Sequence, residues 1–207
     1  MRITALLPTY NRREFIPAAI NCFLNQEYPI DWKVFLIILD DGTDPIKDLV
    51  LADPRIQYHY ELPRRNHGGK MNRLAELATG EILVVFDDDD QYSPDRLVKL
   101  AEAFKDPVVQ VVGSSALYYQ DGEKTWLYTS PKEIGWLSSI AFRKTTIEKY
   151  PFESLVGGAD WKFQQKVRQE NPAALVDLKD PSLVVARVHA GNVCRKRTAD
   201  PDYVLVS

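Results

Sequence analysis

An α/β fold, with a doubly wound and mostly parallel sheet, is predicted by three features of the sequence. Continuous apolar runs read as strands buried on both faces, two of them end in clusters of acid, and segments with helical spacing lie between them. The organising stretch is GEILVVFDDDDQYSPD, Gly80 to Asp95. Ile82 to Phe86 is predicted to be a buried central strand, and Asp87, Asp88, Asp89 and Asp90 then sit at its C-terminal edge. That edge is where open α/β sheets bind ligands. Strand packing does not call for four adjacent like charges. They form either a solvated turn before a helix or a set of hard oxygen donors for Mg2+ or Mn2+.

Taken in order, Ile3 to Leu7 reads as a first strand stopped by Pro8, with Thr9-Tyr10-Asn11-Arg12 as the turn after it. Arg13 to Gln26 carries Phe15, Ile16, Ala19, Ile20, Phe23 and Leu24 at helical spacing. Val34 to Leu39 is a second apolar strand, again ending in acid at Asp40 and Asp41. A short helix is expected from Asp44-Pro45 to about Leu51, and a short strand over Ile56 to Tyr60. The loop Arg64 to Lys70 contains Gly68-Gly69 and feeds a helix reaching Gly80. Its glycines are either a plain turn or a backbone cradle for an anion, with Lys70 adding charge. No Ser or Thr follows Lys70, so this is not a Walker loop. Pro94 to Phe104 is predicted as a helix and Val108 to Val112 as a strand.

Beyond Gly113 the rhythm changes. Asp121-Gly122 between Leu117–Tyr119 and Thr125–Tyr128 signals a hairpin, and Ile134 to Phe142 mixes glycine, tryptophan and serine. A short helix is expected over Lys144 to Tyr150, a longer one after Gly157-Gly158 to about Gln169, and a late strand over Leu183 to Val188. His189 and the basic Arg195-Lys196-Arg197 follow. The halves 1–113 and 114–207 are expected to share one core as a single domain.

The 207 residues are 45% apolar and 27% charged, with a formal net charge of -3. This is the composition of an ordinary globular protein, and it argues against a surface that coats nucleic acid generally. Met1 leads directly into a strand and no apolar run is long enough to span a membrane, so a cytoplasmic location is expected. Cys22 and Cys194 lack metal-site spacing and read as unpaired thiols.

Five short motifs, in order, resemble the family-2 glycosyltransferases of the GT-A fold: LLPTYNR, ILDDGTD, ATGEILVVFDDDDQYSPDRL, FRK at Phe142 to Lys144, and GGADW. The resemblance covers nearly the whole chain. It implies an inverting transferase that moves a sugar from a nucleoside-diphosphate sugar, most commonly a UDP-sugar, to an acceptor hydroxyl with Mn2+ or Mg2+ as cofactor. The second half then becomes a small acceptor-side lobe carrying the catalytic base. The resemblance assigns the nucleobase and ribose pocket to Pro8, Thr9, Tyr10, Arg12 and Asp41, with Lys70 near it. Asp87 and Asp88 fall where the family contacts ribose and the base-side loop, and Asp89 falls at the metal position. His189 matches a late histidine near metal and diphosphate. Asp160 matches the general base, although this chain has Ala159 where the family usually has Glu.

The chemistry agrees with these roles. A nucleoside diphosphate leaves only if its developing charge is neutralised, and an acceptor hydroxyl gains from a carboxylate that takes its proton. Each residue also has a plainer reading: a helix N-cap for Asp160, a loop residue for His189, a solvated face for Arg195 to Arg197. Tyr10, Trp136 and Trp161 could stack on base or sugar, or pack in the core. A sugar nucleotidyltransferase would need a glycine-rich loop where Pro8 to Arg12 stands. A non-catalytic nucleotide- or carbohydrate-binding module of the same fold is the non-enzymatic rival. The acceptor expected is a saccharide or another hydroxyl compound. A hydroxylated DNA base, flipped from its duplex, is a minority alternative.

Overall fold

The computed structural model describes residues 1–130, 139–155, 157–192 and 202–207. Trp136, Cys194 and the basic Arg195 to Arg197 lie outside them. The core element is a seven-stranded sheet in the order β10-β6-β9-β4-β1-β2-β3. Its members are β1 (Arg2–Thr9), β2 (Lys33–Asp40), β3 (Ile56–Tyr60), β4 (Ile82–Val85), β6 (Val111–Gly113), β9 (Ala141–Arg143) and β10 (Leu175–Asp177). β1 pairs in parallel with both β2 and β4, and β2 with β3. β4 is buried throughout, as expected, but its second neighbour β9 runs antiparallel. The reversed strand comes from the FRK motif, whose Phe142 faces Leu83.

Alternation along the strands sorts the core into two layers. Ile3, Ala5 and Leu7 of β1, Val34, Leu36 and Ile38 of β2, and Ile82, Val84 and Phe86 belong to one. Against that face pack α1 (Ile16–Leu24), through Ile16, Ile20 and Phe23, and α3 (Arg96–Ala103), through Leu97 and Leu100. Leu6, Ile37, Leu39, Leu83 and Val85 point the other way. They meet α2 (His67–Leu77), through Met71 and Leu74, and α5 (Ala159–Glu170), through Phe163 and Val167, with α4 (Lys144–Lys149) adding Ile147. Each fully buried side chain of this size contributes roughly 1.5–3 kcal/mol. Helices on both faces of a mostly parallel sheet are the predicted doubly wound arrangement.

Several boundaries differ from the sequence reading. β1 runs through Pro8 to Thr9. The β4 register ends at Leu6 opposite Val85, so by Pro8 the strand has β2 as its one registered neighbour, where a missing N–H is tolerated. The helix expected from Arg13 starts only at Ile16, because Arg12 to Phe15 forms a turn closed by Phe15 N donating to the Arg12 carbonyl at 3.1 Å. The helix expected after Asp44 shrinks to a 3-10 turn at Lys47–Leu49. Of the strand expected over Val108 to Val112, only the end forms, as Val111–Gly113.

A second sheet of five strands, ordered β12-β8-β7-β11-β5, stands beside the first. The predicted hairpin is β7 (Ala116–Asp121) and β8 (Lys124–Thr129), turning through Gly122 at φ 60. β11 (Val184–Arg187) lies parallel to β7 and antiparallel to β5 (Gln91–Tyr92), which ties the acidic loop to the second half of the chain. β5, β9, β10 and β12 (Tyr203–Leu205) were not expected. Each is two or three residues long and is defined by its partner strand rather than by its own pattern. Among the described residues, no helix is long and apolar enough to cross a membrane.

Candidate active site

The C-terminal ends of β1, β2 and β4 meet at one edge of the large sheet, and the acids gather there. At the end of β2, Asp40 is fully buried and serves the fold. Its carboxylate accepts from Gly42 N at 2.9 Å, Ile46 N at 3.1 Å and the Tyr58 hydroxyl at 2.9 Å. Asp41 is also buried and accepts from Arg65 N at 2.7 Å and Lys70 Nζ at 2.5 Å. Lys70 Nζ donates as well to the Thr9 carbonyl at 2.7 Å, and burial lowers its pKa against the pull of Asp41.

Lys70 therefore braces Asp41 and β1 rather than reaching into an open cleft. The glycines before it do not form an anion cradle either. Gly69 N donates to the Asn66 side chain at 2.9 Å and Gly68 N to the Leu155 carbonyl at 3.4 Å. A Cβ on Gly68 would lie 1.9 Å from the Glu153 carbonyl oxygen, so this glycine is set by the close approach of the 153–155 segment to α2.

At the end of β4 the four aspartates diverge. Asp87 N donates to the Tyr92 hydroxyl at 2.6 Å, and Asp90 accepts from Arg187 N at 3.3 Å. Asp88 is buried. It accepts from Thr9 Oγ1 at 2.7 Å and Arg12 Nη1 at 2.8 Å. Burial pushes its carboxyl above the usual range, with Asp89 adding to the rise and Arg12 opposing it. Asp89 Oδ2 accepts from the same Arg12 nitrogen, meets His189 Nε2 at 3.0 Å and lies 3.4 Å from Asn192 Nδ2. Arg12 Nη2 donates to the Gly191 carbonyl. Arg12 thus stands at the acidic pair. Tyr10 is half-buried, with the Arg64 guanidinium 3.8 Å from its ring centre.

His189 Nδ1 accepts from Gly191 N at 3.1 Å, and Nε2 faces Asp89. His189 N donates to Asn192 Oδ1 at 2.8 Å, and the ring packs on Phe15 at 4.7 Å. Asn192 was missed from the sequence, although it follows His189 by three residues in HAGN. Arg96 was also missed. It is fully buried beneath the acidic loop, donates to the Val85 carbonyl at 2.8 Å and stacks 4.2 Å from the Tyr92 ring. Burial lowers its pKa to about 10, so it stays charged at neutral pH.

Asp89 and His189 suit a divalent cation. They offer one carboxylate oxygen and one imidazole nitrogen 3.0 Å apart, the spacing of neighbouring ligands around an octahedral ion with bonds of about 2.1 Å. Among the described residues, no three His, Cys, Asp or Glu side chains group as a metal cage. Such an incomplete set is the kind that substrate phosphates complete.

Asp160 is the second residue of α5 and half-buried. It is not the N-cap. That position belongs to Gly158 at φ 77, without a side-chain cap. Ala159 is buried, and its Cβ would lie 3.4 Å from one on Gly68, so the start of α5 abuts the start of α2. Trp161 is half-buried beside Gln165 and Arg168 on a shallow groove of α5.

Comparison with known proteins gives the class to which this fold belongs. Glycosyl transferase family 2 matches residues 4–167, and the chain belongs to that family. Among its relatives is a protein of Escherichia coli (strain K12) named as a colanic acid biosynthesis glycosyl transferase, WcaA, 32% identical over 58% of this chain and 42% of its own length. Another is an N-acetylglucosaminyltransferase of Rhizobium sp. (strain N33), 26% identical over 60% of this chain and 29% of its own. The chain spans under half the length of these relatives. The GT-A fold is shared with the mannosyltransferase PcManGT of Pyrobaculum calidifontis, solved with GDP-Man and Mn2+ (TM-score 0.76, 22% identity, 93% of this chain and 58% of that one). It is shared also with glucosyl-3-phosphoglycerate synthase of Mycobacterium tuberculosis, solved with Mn2+, UDP and phosphoglyceric acid (TM-score 0.70, 18% identity, 91% and 71%).

Proposed function

We propose that the chain is the catalytic domain of a metal-dependent, inverting glycosyltransferase that moves a sugar from a nucleoside-diphosphate sugar, UDP-sugar by preference, to an acceptor hydroxyl. The observation that carries this reading is the meeting of Asp88, Asp89, His189 and Arg12 at the end of β4. Residues 1–113 bind the donor, and 114–207 supply the acceptor side and the base. Thr9 and Asp88 stand on the ribose side and Tyr10 on the base side, with the buried Asp41 held behind it by Lys70 and Arg65, and Pro8 and Asp87 shape the walls of the pocket.

Asp89 and His189 would hold Mn2+ or Mg2+, and a bound ion would supply positive charge against the diphosphate leaving group. Asp160 takes the proton of the acceptor hydroxyl while the acceptor oxygen bonds to the anomeric carbon and the bond to the diphosphate breaks. Attack opposite the leaving group inverts that carbon.

The test is release of nucleoside diphosphate from a panel of UDP-, GDP- and dTDP-sugars, with saccharide acceptors, under Mn2+, Mg2+ or chelator. Metal-dependent release from one donor class is expected. Binding of a donor without turnover on any acceptor favours the non-catalytic module.

A further inference from the structure

We propose that Arg12 is the resident counter-ion of the acidic strand end and couples the arrival of the metal to that of the diphosphate. This rests on the reading of Asp89 and His189 as metal ligands.

Arg12 Nη1 bridges Asp88 Oδ1 and Asp89 Oδ2, two neighbouring carboxylates of which the first is deeply buried. One guanidinium nitrogen thus occupies the place between the acids that a cation would otherwise take. Asp89 Oδ2 already faces Arg12, His189 Nε2 and Asn192 Nδ2, so an ion ligated by this oxygen must displace a donor. Arg12 is the donor that a dication repels, and it would find a diphosphate attractive, because its planar fork matches phosphate oxygens.

The other nitrogen extends the argument to His189. Arg12 Nη2 holds the Gly191 carbonyl, and Gly191 N donates to His189 Nδ1. Arg12 therefore stabilises the metal-free state twice, by neutralising the carboxylates and by fixing the 189–191 loop that carries His189. When Arg12 turns to a diphosphate, both restraints end together. Metal alone should bind weakly, and metal with nucleotide tightly. By reciprocity, the nucleotide gains from the metal by the same factor.

The experiment titrates Mn2+ into the protein, following the free-ion resonance signal, with and without UDP or GDP, for wild type, Arg12→Gln, Arg12→Lys and Asp89→Ala. For wild type, a nucleotide should tighten Mn2+ by roughly 10- to 100-fold, within the usual range for coupled sites. Arg12→Gln should bind Mn2+ alone about tenfold tighter than wild type and lose most of the nucleotide effect. If Arg12→Gln does not fold, Arg12→Lys carries the test, since an ammonium lacks the fork and its coupling should fall. Equal Mn2+ affinity and equal coupling in wild type and a folded Arg12 variant would overturn the proposal while leaving the metal site standing. Wild type that binds no Mn2+ with either nucleotide, or Asp89→Ala that binds it as well as wild type, would overturn the metal site itself and Arg12's role with it.

Discussion

Lys70 Nζ lies 2.5 Å from Asp41 Oδ1, with both side chains almost wholly buried. Removing one partner of such a pair leaves an uncompensated charge in the interior and costs about 3–5 kcal/mol. For a chain of this size each kcal/mol moves the thermal midpoint by about 2–4 °C. Lys70→Met should therefore lower the midpoint by roughly 6–20 °C, and adding Asp41→Leu should recover much of the loss. A lysine that merely reached into a ligand cleft would leave the midpoint of the ligand-free protein unchanged on substitution, and that result would count against the bracing role.

The two glycines at the start of α2 should respond differently to alanine. At Gly68 the added methyl meets the Glu153 carbonyl at 1.9 Å, and at Gly69 its nearest neighbour is Asn66 Oδ1 at 3.2 Å. Gly68→Ala should cost about 1–3 kcal/mol or more through overpacking. Gly69→Ala should cost less, because alanine gains about 1 kcal/mol over glycine within a helix. Chemical denaturation of both variants checks this, and equal midpoints would contradict the packing account of Gly68.

His67, the first residue of α2, has a buried Nε2 that finds no hydrogen-bond partner among the described residues. Burial lowers its pKa to about 4, helped by the charges of Lys70 and Arg12. Its folded pKa lies below its unfolded value of about 6.5. The stability it contributes is therefore complete above pH 6.5 and is lost as pH falls towards 4. The difference amounts to about 3 kcal/mol. Thermal midpoints of wild type should fall more steeply between pH 6.5 and 4 than those of His67→Phe. Parallel slopes would show that His67 does not titrate with unfolding.

Much of the large sheet was legible because its strands are long and apolar and alternate between two helical layers. β1, β2 and β4 show this in their own residues. The antiparallel β9 and the short β5 and β10 were not legible, because their pairing is decided by distant partners such as Val84 opposite Ala141. At the site, the motifs indicated Asp88, Asp89 and His189, and the fold brings these together. The bracing role of Lys70 and the burial of Arg96 left no trace in the sequence. A buried cation looks like any surface lysine or arginine until its counter-charges arrive from other strands. Likewise, the glycines of the Arg64 to Lys70 loop looked like an anion site because the 153–155 segment that they accommodate lies far along the chain.

Asp160 should separate chemistry from donor binding. Asp160→Asn keeps the size of the side chain and removes its basicity, so kcat should fall by about 10²- to 10⁴-fold. Metal-dependent nucleotide binding should stay within about twofold of wild type, since the proposed function gives Asp160 a role towards the acceptor and none towards the donor. Turnover assays beside calorimetric titration check the split, and loss of nucleotide binding in a folded Asp160→Asn would contradict it.

The most direct test of the donor site is thermal unfolding of wild type and Asp89→Ala with UDP or GDP and their sugars, each in Mn2+, Mg2+ or chelator. A ligand at a hundred times its Kd adds about 2.7 kcal/mol, which for this chain is roughly 5–10 °C. The account predicts a rise of that size for one nucleotide in the presence of metal, absent with chelator and absent in Asp89→Ala. No shift with any nucleotide and either metal, or an equal shift in Asp89→Ala, would contradict it.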